Sequence, residues 1–129
     1  MAMNSGASRT PPILERCQDI GPEWIDLLLK ASGTTAPPVL GVELRPIGAG
    51  NASDTRRVLI EYDGDPGGAP RSLVCKFHPD SEEQRQGMAA GGTFDREIGS
   101  YRAISEANAC RIPKPYRLAT ENGFFNLVT

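Results

Sequence analysis

A lysine in the middle of an apolar segment is the residue of this sequence best suited to chemistry. The segment 73–77 (LVCKF) predicts a buried strand that carries one charge, Lys76. Burying an isolated ammonium group is costly, so Lys76 needs a carboxylate partner or an anionic ligand. The segment 93–102 (TFDREIGSYR) predicts a helix on which Phe94 and Glu97 share one face. Glu97 is therefore the expected partner of Lys76.

A strand lysine held by a helix glutamate is one arrangement that binds nucleotide phosphates. Alternation along the strand puts Val74 on the same face as Lys76, where a small apolar side chain could cover an adenine. The alternative is that Lys76 reaches solvent from an edge strand and that Glu97 is a solvated helix charge. Spacing alone does not decide between the two interpretations.

A glycine-containing turn lies between two predicted strands, upstream of the lysine strand. Its candidate phosphate contacts are Gly48, Gly50, Asn51 and Ser53. Glycines let the backbone approach a phosphate closely, and free N–H groups there bind anions. The turn is not a Walker A loop, because no Gly-Lys-Ser/Thr follows, and it is not a dinucleotide fingerprint, because a strand follows. Without Lys76 and Glu97, an ordinary hairpin turn would be the better interpretation.

His78 is the only histidine, and the three cysteines are widely spaced. His78-Pro79-Asp80 resembles a His-x-Asp catalytic loop, but it directly follows the lysine strand, and Arg85 stands where a metal-binding asparagine would fall. We therefore expect His78 to be a polar residue at a strand end. The sequence predicts no histidine-based zinc site, no Ser-His-Asp hydrolase, no disulfide framework and no residue that binds a metal.

Composition excludes several classes of protein. The 129 residues have a net charge of −2 and 6% aromatic residues, with no basic stripe for a phosphate backbone and few rings on which bases could stack. No apolar run is long enough to span a membrane, and the N-terminus has no secretory signal. We expect a reduced, soluble, cytoplasmic protein that binds neither nucleic acid nor membrane.

The order of predicted elements indicates an α+β fold. Residues 1–20 are expected to be disordered or loosely ordered, and 79–92 to be mobile or partly helical. The predicted elements are a helix over Pro22–Ala31, strands over 41–47, 55–62 and 72–78, a helix over 93–108, and strands over 116–119 and 124–128. The expected architecture is a five-stranded antiparallel sheet with one main packed helix and a short N-terminal helix.

Several ordered segments of 40–129 resemble the N-terminal lobe of the aminoglycoside phosphotransferase-like family, which includes choline kinase-like and ecdysteroid kinase-like enzymes and has a protein-kinase-like fold. The segments that carry the resemblance are IGAGNASDTRRVLIEYDG, SLVCKF, FDREIGSYRAI, IPKPYRLA and GFFNLV. It implies that 21–129 form this lobe, that Lys76 binds the α- and β-phosphates of ATP, and that Glu97 anchors Lys76. It also implies that the 48–53 turn covers the phosphates, and that Phe125, Leu127 and Val128 lead into a hinge beside the adenine.

The sequence departs from the family in lacking the catalytic Asp and the later metal-binding Asp of its C-terminal lobe. The chain therefore looks truncated, and we expect Mg²⁺ binding and transfer to a small-molecule hydroxyl only with that second lobe. A non-catalytic module that binds a nucleotide or a partner is the alternative. Self-association through the exposed inter-lobe surface is then expected. A plain α+β domain without a ligand is a third interpretation.

Overall fold

The computed structural model describes residues 10–47, 54–107 and 113–129. A 3₁₀ turn over Cys17–Asp19 precedes the regular elements. These are α1 (Pro22–Ala31), β1 (Val39–Pro46), β2 (Asp54–Tyr62), β3 (Ser72–Phe77), α2 (Glu82–Ala90), α3 (Thr93–Ala107), β4 (Arg117–Glu121) and β5 (Phe124–Val128). None of the helices within these ranges is long and apolar enough to span a bilayer.

The strands form one antiparallel five-stranded sheet in the order β1-β2-β3-β5-β4. This confirms the α+β class and the five-stranded antiparallel sheet. The strand β3 lies in the middle, where Lys76 is opposite Thr55 of β2 and Leu127 of β5. The interpretation in which Lys76 reaches solvent from an edge strand is therefore wrong.

One face of the sheet is covered by α1, with which it forms a continuous apolar cluster. The cluster includes Leu28 of α1 and Phe77 of β3, and the ring of Trp24 meets that of Phe77 edge to face at a centroid distance of 6.2 Å. Pro22 suits the first helical position, and Gly33, with φ of 78°, allows the chain to turn at the end. The predicted bounds of α1 are confirmed.

The segment 11–20 differs from the expected loose N-terminus. Cys17 and Ile20 are 2% and 5% exposed and belong to the same apolar cluster. The amide of Asn126 accepts a hydrogen bond from the Leu14 N–H at 2.7 Å and donates one to the Leu14 carbonyl at 2.9 Å. Apolar side chains and these backbone hydrogen bonds hold the segment against the sheet, so the packed region begins before residue 21.

The opposite face is covered by α3 over β4 and β5. Phe94 and Ile98 of α3 are 3% and 6% exposed and pack with Phe125 and Leu127 of β5. The rings of Phe94 and Phe125 are stacked, with centroids 4.9 Å apart. This second, smaller cluster fixes α3 on the sheet.

A third helix occupies the segment that was expected to be mobile or partly helical. The hydroxyl of Ser81 caps α2 by accepting a hydrogen bond from the Gln84 N–H at 3.3 Å. Gly92, with φ of 74°, separates α2 from α3. The expectation of one main packed helix with a short N-terminal helix is therefore wrong in number: the described residues form three α-helices. On the α1 face, α1 and the segment 11–20 pack together against the sheet.

Candidate functional site

The candidate site is an ion pair between the central strand and α3. The Lys76 Nζ donates a hydrogen bond to the Glu97 Oε1 at 2.5 Å. The two side chains are 36% and 32% exposed, so solvent reaches both. The pairing expected from the sequence is present.

The position of Glu97 follows from how α3 is packed. Phe94 lies three residues before Glu97, Ile98 follows it directly, and both are buried against β5. These contacts fix the rotation of the helix about its axis. Glu97 is consequently directed at Lys76 rather than into solvent.

The apolar candidates divide between the two faces of the sheet. Val74 alternates with the buried Leu73 and Cys75, so it shares the face of Lys76, where it is half-buried. Leu127 lies opposite Lys76 and packs with α3, so it is on the same face and 7% exposed. Both side chains flank the ion pair.

Val128 differs from the expectation that it lies beside the adenine. Its side chain is 0% exposed and packs in the cluster under α1, on the face away from Lys76. The reason is the strand period of two, which turns Val128 away when Leu127 faces the ion pair. A ligand beside Lys76 would meet only the backbone of Val128.

The predicted phosphate-binding turn lies outside the described residues, and with it Gly48, Gly50, Asn51 and Ser53. Its described ends can be placed. The Ile47 N–H donates to the Thr55 carbonyl at 3.2 Å, and Thr55 is the cross-strand neighbour of Lys76. The chain therefore leaves β1 and enters β2 next to the ion pair.

His78 is a buried structural residue and is 4% exposed. Its Nε2 donates to the Glu15 carbonyl at 2.5 Å, and its Nδ1 accepts from the Phe125 N–H at 3.0 Å. Both ring nitrogens are therefore hydrogen-bonded to backbone groups, and neither is free to act in catalysis. The role of His78 in holding the backbone was not predicted from the sequence. The role of Asn126 was also missed, although an asparagine inside the apolar run FFNLV could have indicated a buried, hydrogen-bonded amide.

The described residues offer no metal centre and no activated thiol. Across 10–47, 54–107 and 113–129, no group of three or more His, Cys, Asp or Glu side chains could hold a metal ion. Burial raises the pKa of the Cys17 thiol to about 12, and it also raises the pKa of Cys75. Both thiols are therefore protonated and inert at neutral pH.

Comparison of the chain with protein-family models, with curated proteins and with solved structures found no match. The geometry of the site defines what it can bind: the Lys76 ammonium is partly exposed, oriented by a carboxylate and flanked by apolar side chains, so it can bind a ligand with an anionic group next to an apolar one.

Proposed function

We propose that this chain is the nucleotide-binding lobe of an ATP-dependent small-molecule phosphotransferase. The observation that carries the proposal is the ion pair between Lys76 on the central strand and Glu97 on α3. The corresponding lysine–glutamate pair positions nucleotide phosphates in phosphotransferases with a protein-kinase-like fold.

The geometry suits a phosphate ligand. An ammonium group has several N–H donors, and Lys76 uses one of them on Glu97. The others are able to donate to the α- and β-phosphate oxygens, because the side chain is 36% exposed. Glu97 holds the ammonium in place, which lowers the entropic cost of ordering a long side chain when the ligand binds.

The neighbouring side chains suit the base. Val74 and Leu127 lie on the Lys76 face and present apolar surface next to the cation. An apolar wall with a few directed polar groups is the common form of a cofactor site. We assign adenine contact to Val74 and Leu127, and backbone contact alone to Val128.

When bound, ATP supplies the γ-phosphoryl group for transfer to a substrate hydroxyl. Lys76 and Glu97 contribute the grip on the nucleotide, which fixes the direction of the phosphate chain. Metal binding and orientation of the acceptor hydroxyl are assigned to no residue of these 129, and the nucleotide phosphates themselves are the usual Mg²⁺ ligands in such sites.

The test is calorimetric titration of the 129-residue chain with Mg-ATP. We expect saturable binding that Lys76→Met weakens by about tenfold or more, since a charge-assisted hydrogen bond to phosphate is lost. Glu97→Gln should weaken binding less, because the cation persists. Lys30→Met is the matched control, because Lys30 is an ion-paired lysine on α1, over the other face. No saturable binding, or equal binding by Lys76→Met, would overturn the proposal.

A second candidate is a nucleotide-binding module without phosphotransfer. It rests on one observation: the only histidine in the sequence bonds backbone groups with both ring nitrogens, so it does not belong to a His-x-Asp catalytic loop. An assay for ATP consumption with a panel of alcohols tests the module, because transfer to any alcohol by the 129 residues contradicts it. Binding without consumption is expected of both candidates, since the lobe proposal assigns catalysis to a second lobe.

A further inference from the structure

The strand β1 is one edge of the sheet, and its outer side is open. It is the first strand in the order β1-β2-β3-β5-β4, so among the described residues it pairs only with β2. Leu40 of β1 is 56% exposed, so no described segment covers this end of the strand. An open edge presents backbone N–H and C=O groups that are able to pair with another strand.

The register shows which backbone groups of β1 point outward. The Ile47 N–H donates to the Thr55 carbonyl at 3.2 Å, so these two residues form a hydrogen-bonded pair. Such pairs alternate along an antiparallel ladder, so the backbone groups of Val42 and Leu44 point away from β2. Pro46 also occupies an outward position, where its missing N–H removes no hydrogen bond to β2.

The edge strand carries one exposed charge of each sign, two residues apart. The Arg45 Nε donates to the Glu43 Oε2 at 2.5 Å, and the two side chains are 60% and 59% exposed. The register places Arg45 directly opposite Arg57 of β2, and like charges in this position are destabilising. A second carboxylate beside Arg45 would offset this repulsion.

We propose that the outer side of β1 pairs with β1 of a second copy of this chain, antiparallel and centred on Leu44. Glu43 of each copy then lies directly opposite Arg45 of the other, in a pair without backbone hydrogen bonds, where side chains are closest. On the other face, Leu44 meets Leu44 of the second copy. The outward N–H groups of Leu44 and Val42 donate to the carbonyls of Leu44 and Pro46 of the second copy.

The charges select this register over its neighbours. Centring the pair on Glu43 would place the two Glu43 carboxylates directly opposite each other, and centring it on Val42 would place Glu43 opposite Gly41. Only the arrangement centred on Leu44 gives each carboxylate a cation of the second copy. The inference does not depend on nucleotide binding, because Lys76 lies on β3, two strands away from this edge.

The experiment is sedimentation equilibrium of the 129-residue chain at increasing protein concentration, with the charge reversals Glu43→Arg and Arg45→Glu. We expect the unchanged chain to form a dimer. Each variant should dimerise about tenfold or more weakly, because like charges then lie opposite each other at two symmetric positions. An equal mixture of the two variants should recover the dimer, since one variant carries two cations on β1 and the other carries two carboxylates.

Two further variants serve as controls. Lys30→Glu reverses an exposed charge on α1 and should leave the dimer unchanged, and Lys76→Met should also leave it unchanged. Amide hydrogen exchange gives a second readout: the Val42 and Leu44 N–H groups should exchange more slowly as the protein concentration rises. A monomer at every concentration would overturn the inference. A dimer of unchanged affinity in both charge reversals, or no recovery in their mixture, would overturn it too.

Discussion

The face of the sheet under α1 is closed by apolar side chains, whereas the face under α3 is closed only in part. Among the residues that the structure describes, the α1 face buries a cluster of eleven, including Phe77 and Leu28. The α3 face buries four, and beside them Val74 and Lys76 are half-exposed. The first face carries most of the apolar burial, and the second carries the charged pair that we assign to function.

This difference indicates how a small domain separates stability from binding. Apolar burial grows with the area removed from water, so the α1 face supplies the larger share of the folding free energy. The α3 face buries less apolar area, and the Lys76 cation on it is accessible to solvent. We expect substitutions on the two faces to have different effects, and three measurements test this.

The largest expected effect is on the α1 face. Leu28→Ala removes a side chain that is 0% exposed, and it should lower the free energy of unfolding by about 3–5 kcal/mol. Ile98→Ala on α3 should lower it by about 2 kcal/mol, because its cluster is smaller and borders a cavity into which neighbours can relax. Equilibrium unfolding in urea measures both values.

The control for this comparison is Leu27→Ala. Leu27 is on the same helix and only half-buried, so its replacement should lower the free energy of unfolding by about 1 kcal/mol or less. If Ile98→Ala costs as much as Leu28→Ala, then the two faces contribute equally per residue and the comparison fails.

A smaller effect is expected from pH, through Cys17 on the α1 face. Its pKa is raised from 9.0 to about 12 by burial, so the folded state keeps the thiol proton at pH values where the unfolded state loses it. The contribution of the Cys17 thiol to the free energy of unfolding is therefore fully present below about pH 9, and it declines as the pH rises from there toward 12. The expected loss from this thiol between pH 8 and pH 10 is about 1.4 kcal/mol.

Urea unfolding at pH 8 and pH 10 measures this loss, with Cys17→Ala as the comparison. That variant should lose less stability than the wild type between pH 8 and pH 10, because it has no thiol at residue 17 that the unfolded state could deprotonate. The burial of Cys75 acts in the same direction and persists in both proteins. An identical pH dependence in the two proteins would show that charging Cys17 is not penalised by the fold.

The sequence predicted the parts of the fold that depend on local pattern. The bounds of α1 follow from Pro22 and Gly33. The strands β1 and β2 follow from an apolar period of two, β3 follows from a short apolar run, and β4 and β5 follow from the segments on either side of the 121–123 turn. Pairing of Lys76 with Glu97 was predictable because a charge in an apolar strand needs a counter-charge. Each of these signals lies within a few residues of the feature that it determines.

Long-range packing was not predictable in this way. The sequence of α2 is mostly polar and has little apolar periodicity, so its helix was not predicted as a distinct element. Residues 11–20 are ordered by side chains far along the chain: Asn126 holds Leu14 across 112 positions, and His78 holds Glu15 across 63. The direction of Val128 likewise depended on strand register.

The smallest effect on stability is expected at the charged pair itself. A double-mutant cycle with Lys76→Met and Glu97→Gln should give a coupling free energy of about 1 kcal/mol or less, because both side chains are about one-third exposed and solvent screens them. The exposed Lys30–Asp26 pair of α1 provides the matched cycle, with an expected coupling free energy of about 0.3–0.5 kcal/mol.

Similar coupling free energies at both pairs, both reduced in high salt, would mean that the Lys76–Glu97 pair does not stabilise the fold despite its place on the central strand. A coupling above about 3 kcal/mol would instead indicate a buried pair that holds the fold together. A weak coupling combined with loss of Mg-ATP binding in Lys76→Met would assign this lysine to the ligand rather than to the fold.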